Sequence, residues 1–215
     1  MLNKVFSRVD PIIPLCRDRF VLNLGGIGMG INDTFQDLDK GIFGKDWHLP
    51  CVKEVSKDLL VVDIQADKAK ELGRHGYGVI VQSVDEFFDL KRQFDVVLAE
   101  EVIEHLQDIR VFMDNVRRHL KPDGLFIVTT PNPWAWSYLL QRVFFGKERT
   151  NDSHFMWFSE KTMRYLLKSH GFEVIDYRIV DAESESLLGK IMQRLLRWLP
   201  ERFGINMIFV CRLKE

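Results

Sequence analysis

This chain of 215 residues has few of the features that mark unusual protein classes. It carries only three cysteines, Cys16, Cys51 and Cys211. Their odd number and wide spacing suit neither a disulfide framework nor a zinc site, so reduced thiols and a cytoplasmic setting are expected. No apolar run reaches the ~18 residues of a membrane span. The start, "MLNKVFSRVDPIIPLC", lacks the sustained apolar stretch and small-residue cleavage site of a secretory leader. An excess of one charge is also missing. The 30 Lys and Arg against 31 Asp and Glu give a formal net charge of -1, which provides no broad field to attract a nucleic-acid backbone. There are no internal repeats and no low-complexity tracts. A content of 46% hydrophobic and 28% charged residues predicts one globular domain over residues 1–215 with a sizeable core.

What is present is alternation. The short apolar runs "RFVLNLG" (19–25), "LLVVDI" (59–64), "YGVIVQS" (77–83), "FDVVLAE" (94–100), "GLFIVTTP" (124–131), "FEVIDYRIV" (172–180) and "INMIFVCRL" (205–213) read as strands. Longer amphipathic stretches separate them, the pattern of a parallel sheet covered by helices. "EVIEHLQDIRVFMDNVRRHLKPDG" reads as helix up to Gly124, and "SEKTMRYLLKSHG" reads as a helix capped by Ser159 and closed at Gly171. Two stretches fall outside the alternation and read as covers, at about 131–153 and 182–204. The aromatics of the first, Trp134, Trp136, Tyr138, Phe144 and Phe145, are expected to pack into the core, with a water-excluding lid as the alternative. The second, with Leu187, Leu188, Ile191, Leu195 and Trp198 beside Lys190, Arg194 and Arg197, reads as a docked amphipathic helix. Contact of 186–204 with a membrane surface is its alternative.

The stretch "VLNLGGIGMG" (21–30) closes the first strand with four glycines, each of which would cost about 0.5–1 kcal/mol inside a helix or strand. A bare turn at the carboxyl end of a parallel strand suits a nucleotide or a tight structural turn. Asp63 ends the second strand, where an acid can accept both hydroxyls of a ribose or cap the next helix.

With these residues, and with "FDVVLAEEVIEHL" (94–106), "HLKPDGLFIVTTPNPW" (119–134) and "HFMWFSEKTMRYLLKSHGFEV" (154–174), the chain resembles the class I S-adenosylmethionine-dependent methyltransferases over nearly its whole length. The resemblance implies a Rossmann-like α/β fold, a seven-stranded, mostly parallel sheet with an antiparallel last strand and helices on both faces. It implies S-adenosylmethionine as cofactor, with Gly25, Gly26 and Gly28 along the methionine and ribose, Asp63 on the ribose hydroxyls, Ser83 or Asp85 near the adenine, and Glu100 under the methionyl group. The chain departs from the family at Asn23, where an acid is usual, and in a glycine turn stretched by one residue. A cofactor-binding scaffold subunit without activity is therefore a third reading.

Glu101, Glu104 and His105 stand at i, i+3 and i+4 and are expected on one face of a helix. With the later His154 they resemble the cluster of ubiquinone-type O-methyltransferases and of metal-dependent RNA 2′-O-methyltransferases. The catalytic candidates are thus His154, Glu101 and His105. Glu101, Glu104, His105 and His154 are also candidate ligands of a divalent metal, although a cofactor-shaping role is expected first. An imidazole can accept a hydroxyl proton at cellular pH, so His154 is a candidate general base or else a helix-entry residue. His48, His75, His119 and His170 are expected to be structural or solvated. The expected acceptor is a small molecule or a glycan- or lipid-linked hydroxyl; nucleic acid is the less favoured partner.

Overall fold

A computed structural model describes residues 9–27, 48–146, 148, 150–180 and 201–214. A helix, α1 (Val9–Cys16), precedes the first strand, β1 (Phe20–Leu24); α2 (Leu49–Val55), β2 (Asp58–Asp63), α3 (Ala66–Arg74), β3 (Gly78–Val81) and β4 (Phe94–Glu100) follow. A single 3-10 turn at Ile103–His105 leads to α4 (Ile109–His119), and then come β5 (Leu120–Pro131), α5 (Trp136–Phe145), α6 (Glu160–Ser169), β6 (Phe172–Val180), a 3-10 turn at Glu201–Phe203 and β7 (Asn206–Leu213).

The seven strands form one sheet in the order β3-β2-β1-β4-β5-β7-β6. β1 pairs in parallel with β2 and β4, and β7 lies antiparallel between β5 and β6, as expected. The central strands are unbroken apolar runs because helices cover both faces. α4 and α6 pack over one face around Phe112, Phe126 and Phe172, and α1, α2 and α3 over the other around Ile12, Leu49 and Leu72. The order reverses between β1 and β4, and that switch opens a crevice at the carboxyl edge, where such sheets bind ligands. Leu24 pairs with Val62 and with Ala99, so Gly25, Asp63 and Glu100 emerge together at this edge.

The local signals at the helix ends hold. Ser159 and Thr162 form a reciprocal capping box on α6. The helix predicted across 101–124 does not run through. Asp108 accepts from the Val111 amide at 3.1 Å and starts α4 only at residue 109. β5 starts at Leu120, so "KPDG" is a bulge in the strand rather than a helix stop; pairing jumps from Phe94–Leu120 to Val96–Leu125. The aromatic cover also departs from expectation. α5 buries none of its residues, and Val143, Phe144 and Phe145 are 75%, 71% and 72% exposed. None of these aromatics belongs to either apolar core of the described residues. Of the second cover, residues 182–200 lie outside the described residues, and with them all but the last four positions of the 186–204 stretch on which the membrane-contact reading was placed; Gly28 and Gly30 lie outside as well. No helix among the described residues is long and apolar enough to cross a membrane.

Candidate active site

A cleft of about 1080 Å³ opens above the carboxyl ends of β1, β2 and β4, at the upper end of the range for ligand pockets. Gly25, Gly26, Asp63, Ser83, Glu100, Glu101, Glu104, His105 and His154 all line it. The fold thus brings together, from positions 25 to 154, every described residue expected to bind the cofactor, hold a metal or act in catalysis.

The glycines are bare for two separate reasons. Gly25 has φ +72° and a Cβ there would lie 2.4 Å from Val102 Cγ2; a Cβ on Gly26 would lie 1.9 Å from Asn23 Oδ1. The turn is closed from behind by β1 and by the loop after β4, which keeps its backbone low under the cleft. Asn23 is 1% exposed, and its Oδ1 has no hydrogen-bond partner among the described residues.

Asp63, 3% exposed, accepts from the Ile27 amide at 3.0 Å and from the Gln65 amide at 2.9 Å. It fixes the glycine turn and the entry to α3 while bordering the cleft, so the two readings of this acid coexist. Ser83 Oγ donates to Asp85 Oδ1 at 2.5 Å, and Asp85 Oδ2 accepts from the Gln107 amide. Burial pushes the Asp85 carboxyl up, but the Ser83 and backbone hydrogen bonds outweigh it and hold the group below its usual range. Glu100 is met by His48 Nδ1. His48 is 5% exposed and lines the cleft; it stands at the head of α2, with its ring turned to Glu100.

The carboxylate and histidine cluster is assembled differently from a helix face. Glu101 adopts φ +53°, a conformation that costs a non-glycine residue about 1–3 kcal/mol. Its amide donates to the Thr129 carbonyl at 3.2 Å and to Thr129 Oγ1 at 3.1 Å, while Thr129 Oγ1 donates to Glu101 Oε1 at 3.1 Å. This backbone reversal separates Glu101 from the next turn. Glu104, 1% exposed, accepts from Thr130 Oγ1 at 3.1 Å. Its carbonyl accepts from the Phe155 and Met156 amides, which fastens the returning 150–157 stretch to the 3-10 turn.

His105 Nδ1 lies 3.1 Å from the Ser153 carbonyl. Ser153 Oγ lies 2.9 Å from the same nitrogen and can either donate to it or accept from it, so Ser153 anchors the ring at Nδ1 in either tautomer. The His105 and His154 rings meet edge to face, with centroids 4.5 Å apart. Burial and the neighbouring His105 ring both push the His154 imidazole below its ordinary value, which leaves it neutral at pH 7. Glu104, His105 and His154 each offer a ligand atom within 4.8 Å of the others. Glu101 is not part of that group, because its carboxylate is tied to Thr129 instead.

The aromatic wall of the cleft comes from Tyr138, Phe155 and Trp157, with Tyr138 and Trp157 edge to face at 5.7 Å. Neither Trp134 nor Trp136 lines it. Trp157 escaped sequence reasoning, although it shares the "HFMWF" stretch with His154. Asp63, Asp85, Glu86, Glu100, Glu101, Glu104 and Asp108 border the cleft, whereas no Lys or Arg does so among the described residues.

Comparison with known proteins agrees with this architecture. A family model described as "Methyltransferase domain" matches residues 40–177, more than half of the chain. A Mycolicibacterium smegmatis protein named "Probable S-adenosylmethionine-dependent methyltransferase" is 31% identical over 165 residues, 75% of this chain and 54% of that protein. A Rickettsia conorii "Ubiquinone biosynthesis O-methyltransferase" is 38% identical over 60 residues, 28% of this chain and 21% of its own length. The chain thus spans about half of the first relative and about a fifth of the second. Magnesium protoporphyrin IX methyltransferase from Synechocystis PCC 6803, solved with bound S-adenosylhomocysteine, superposes with a TM-score of 0.60 at 12% identity, covering 96% of this chain and 82% of that one; at that identity the likeness is one of fold.

Proposed function

Because the chain belongs to the methyltransferase domain family, the class I S-adenosylmethionine-dependent methyltransferases, we propose that it transfers the cofactor's methyl group to a hydroxyl oxygen of an uncharged small-molecule, glycan or lipid-linked acceptor. His154 is the general base in this reading. The residues present fit the cofactor. Ribose hydroxyls and an α-ammonium are hydrogen-bond donors, and the cleft offers them the carboxylate acceptors of Asp63 and Glu100. A cationic sulfonium also suits a cleft bordered by carboxylates. When bound, S-adenosylmethionine supplies an electrophilic methyl group.

The protein's own residues supply the rest. Tyr138, Phe155 and Trp157 offer an apolar wall that displaces water from an acceptor. His154, kept neutral by burial and by His105, takes the hydroxyl proton. Ser153 anchors the His105 ring at Nδ1, and His105 in turn orients the His154 ring. The observation that carries this reading is the edge-to-face pair of His105 and His154, with the His154 imidazole held below its ordinary value, at the same cleft as the glycine turn. The carboxylates and the lack of a described Lys or Arg at the cleft weigh against a phosphate-bearing acceptor such as RNA, for which a steep salt dependence of binding is the signature.

A second reading is supported by the grouping of Glu104, His105 and His154. These residues would hold a divalent cation, which would lower the acceptor's pKa directly. The deciding experiment is methyl transfer in excess chelator, with cofactor binding followed by calorimetry. Persistent transfer supports the base reading, and abolished transfer with intact cofactor affinity supports the metal. Cofactor binding without transfer to any acceptor supports the scaffold reading.

A further inference from the structure

His48 heads α2, yet its side chain makes no capping hydrogen bond to that helix. Its ring instead reaches across 52 positions of chain to Glu100 at the end of β4. Both groups are enclosed, at 5% and 10% side-chain exposure. An ionised carboxylate so enclosed is strongly unfavourable without a partner, and Asp63 and Glu101 on the same cleft add like charge. The other two histidines of the cleft, His105 and His154, face each other.

We propose that His48 is a positioning residue for cofactor binding: its ring holds the Glu100 carboxylate in place through one oxygen and leaves the other to accept from a donor of the cofactor. Glu100 touches the cofactor and His48 acts through it. The inference rests on the cofactor reading above. It predicts that His48 affects binding rather than the chemical step, because S-adenosylmethionine and S-adenosylhomocysteine share the donors concerned.

The test is calorimetry with S-adenosylhomocysteine on the full chain, for the wild type, His48→Ala, His48→Gln, Glu100→Gln and the double variant His48→Ala/Glu100→Gln. A hydrogen bond to a charged group is lost in His48→Ala and in Glu100→Gln, so each of these two is expected to bind about tenfold more weakly or worse. His48→Gln, which still donates, restores most of that loss. The double variant is no weaker than Glu100→Gln alone, and in steady-state assays KM for S-adenosylmethionine rises while kcat holds. Additive losses, or a folded His48→Ala that binds like the wild type, overturn the inference and leave the cofactor reading standing. No heat for the wild type overturns the cofactor reading and the inference with it. Should His48→Ala fail to fold, the ring-nitrogen NMR shifts of His48 in the wild type decide: they move on addition of S-adenosylhomocysteine, and unmoved shifts overturn the inference.

Discussion

The two halves of the cleft are built in opposite ways. On the side of β1, β2 and β4, the polar groups sit at strand ends with their positions over-determined. Asp63 holds two backbone amides, Asn23 and Val102 close the glycine turn from behind, and His48 meets Glu100. On the side of residues 131–157, α5 buries nothing, and the return stretch is fastened by the Phe155 and Met156 amides to the Glu104 carbonyl and by Ser153 to His105. A scaffold side that is rigid and a loop side that is lightly held is the division expected where a common cofactor meets a particular acceptor. Affinity for the cofactor and selectivity for the acceptor should therefore respond to different substitutions.

The largest expected effect tests the lightly held side. His154→Ala should lower kcat by ~10²–10⁴-fold while calorimetry shows an unchanged cofactor affinity. The pH profile sharpens this. Because the His154 value is pushed down, its neutral base form persists below pH 6.5, so wild-type activity should fall only as pH drops through that lowered value, and His154→Ala should abolish that acid limb. A cofactor affinity that falls together with kcat would break the division between the halves.

On the rigid side, Asp63→Ala should weaken S-adenosylmethionine roughly ten- to a hundredfold, since charge-assisted bonds of about 1.5–3 kcal/mol are lost. It should also lower the melting temperature, because the Ile27 and Gln65 amides lose their acceptor. An unchanged affinity by calorimetry would refute the cofactor role of this acid.

Glu101→Gly joins the two halves. It should relieve about 1–3 kcal/mol of backbone strain, offset in part by the loss of the Thr129 contact and by the greater chain entropy of glycine. A differential scan showing no loss of stability alongside a clear loss of activity would mark Glu101 as strained for function. A large destabilisation would show that the residue is structural.

The smallest effect is expected at the end of α5. Phe144→Ser should change folding stability by no more than about 0.5 kcal/mol, because that ring is 71% exposed. Tyr138→Ala, a turn and a half earlier on the same helix, should raise the acceptor KM and leave that of the cofactor as it was. A drop in melting temperature for Phe144→Ser would show that the helix is packed more firmly than its exposure implies.

Residues that act through their neighbours in sequence were legible without the structure. The strands declared themselves as apolar runs between breakers, β4 and β6 to the residue, and Ser159 declared its capping box. The placement of the glycine turn and Asp63 at the carboxyl edge of the sheet was legible, since both follow directly from where a parallel strand ends. Position along the chain could not reveal that Glu101 leaves the helix, that Asp108 rather than Glu101 starts it, that His48 reaches Glu100, or that Trp157 replaces Trp136 in the cleft wall. Helical spacing is a local argument, and it failed at residue 101 because Thr129, on the neighbouring strand, captures the Glu101 amide and carboxylate. The alternation of apolar and amphipathic segments is enough to select a doubly covered sheet, because each segment must bury its own apolar face. Which side chains meet above that sheet is decided by contacts between strands and loops far apart in sequence, and these exist only once the chain has folded.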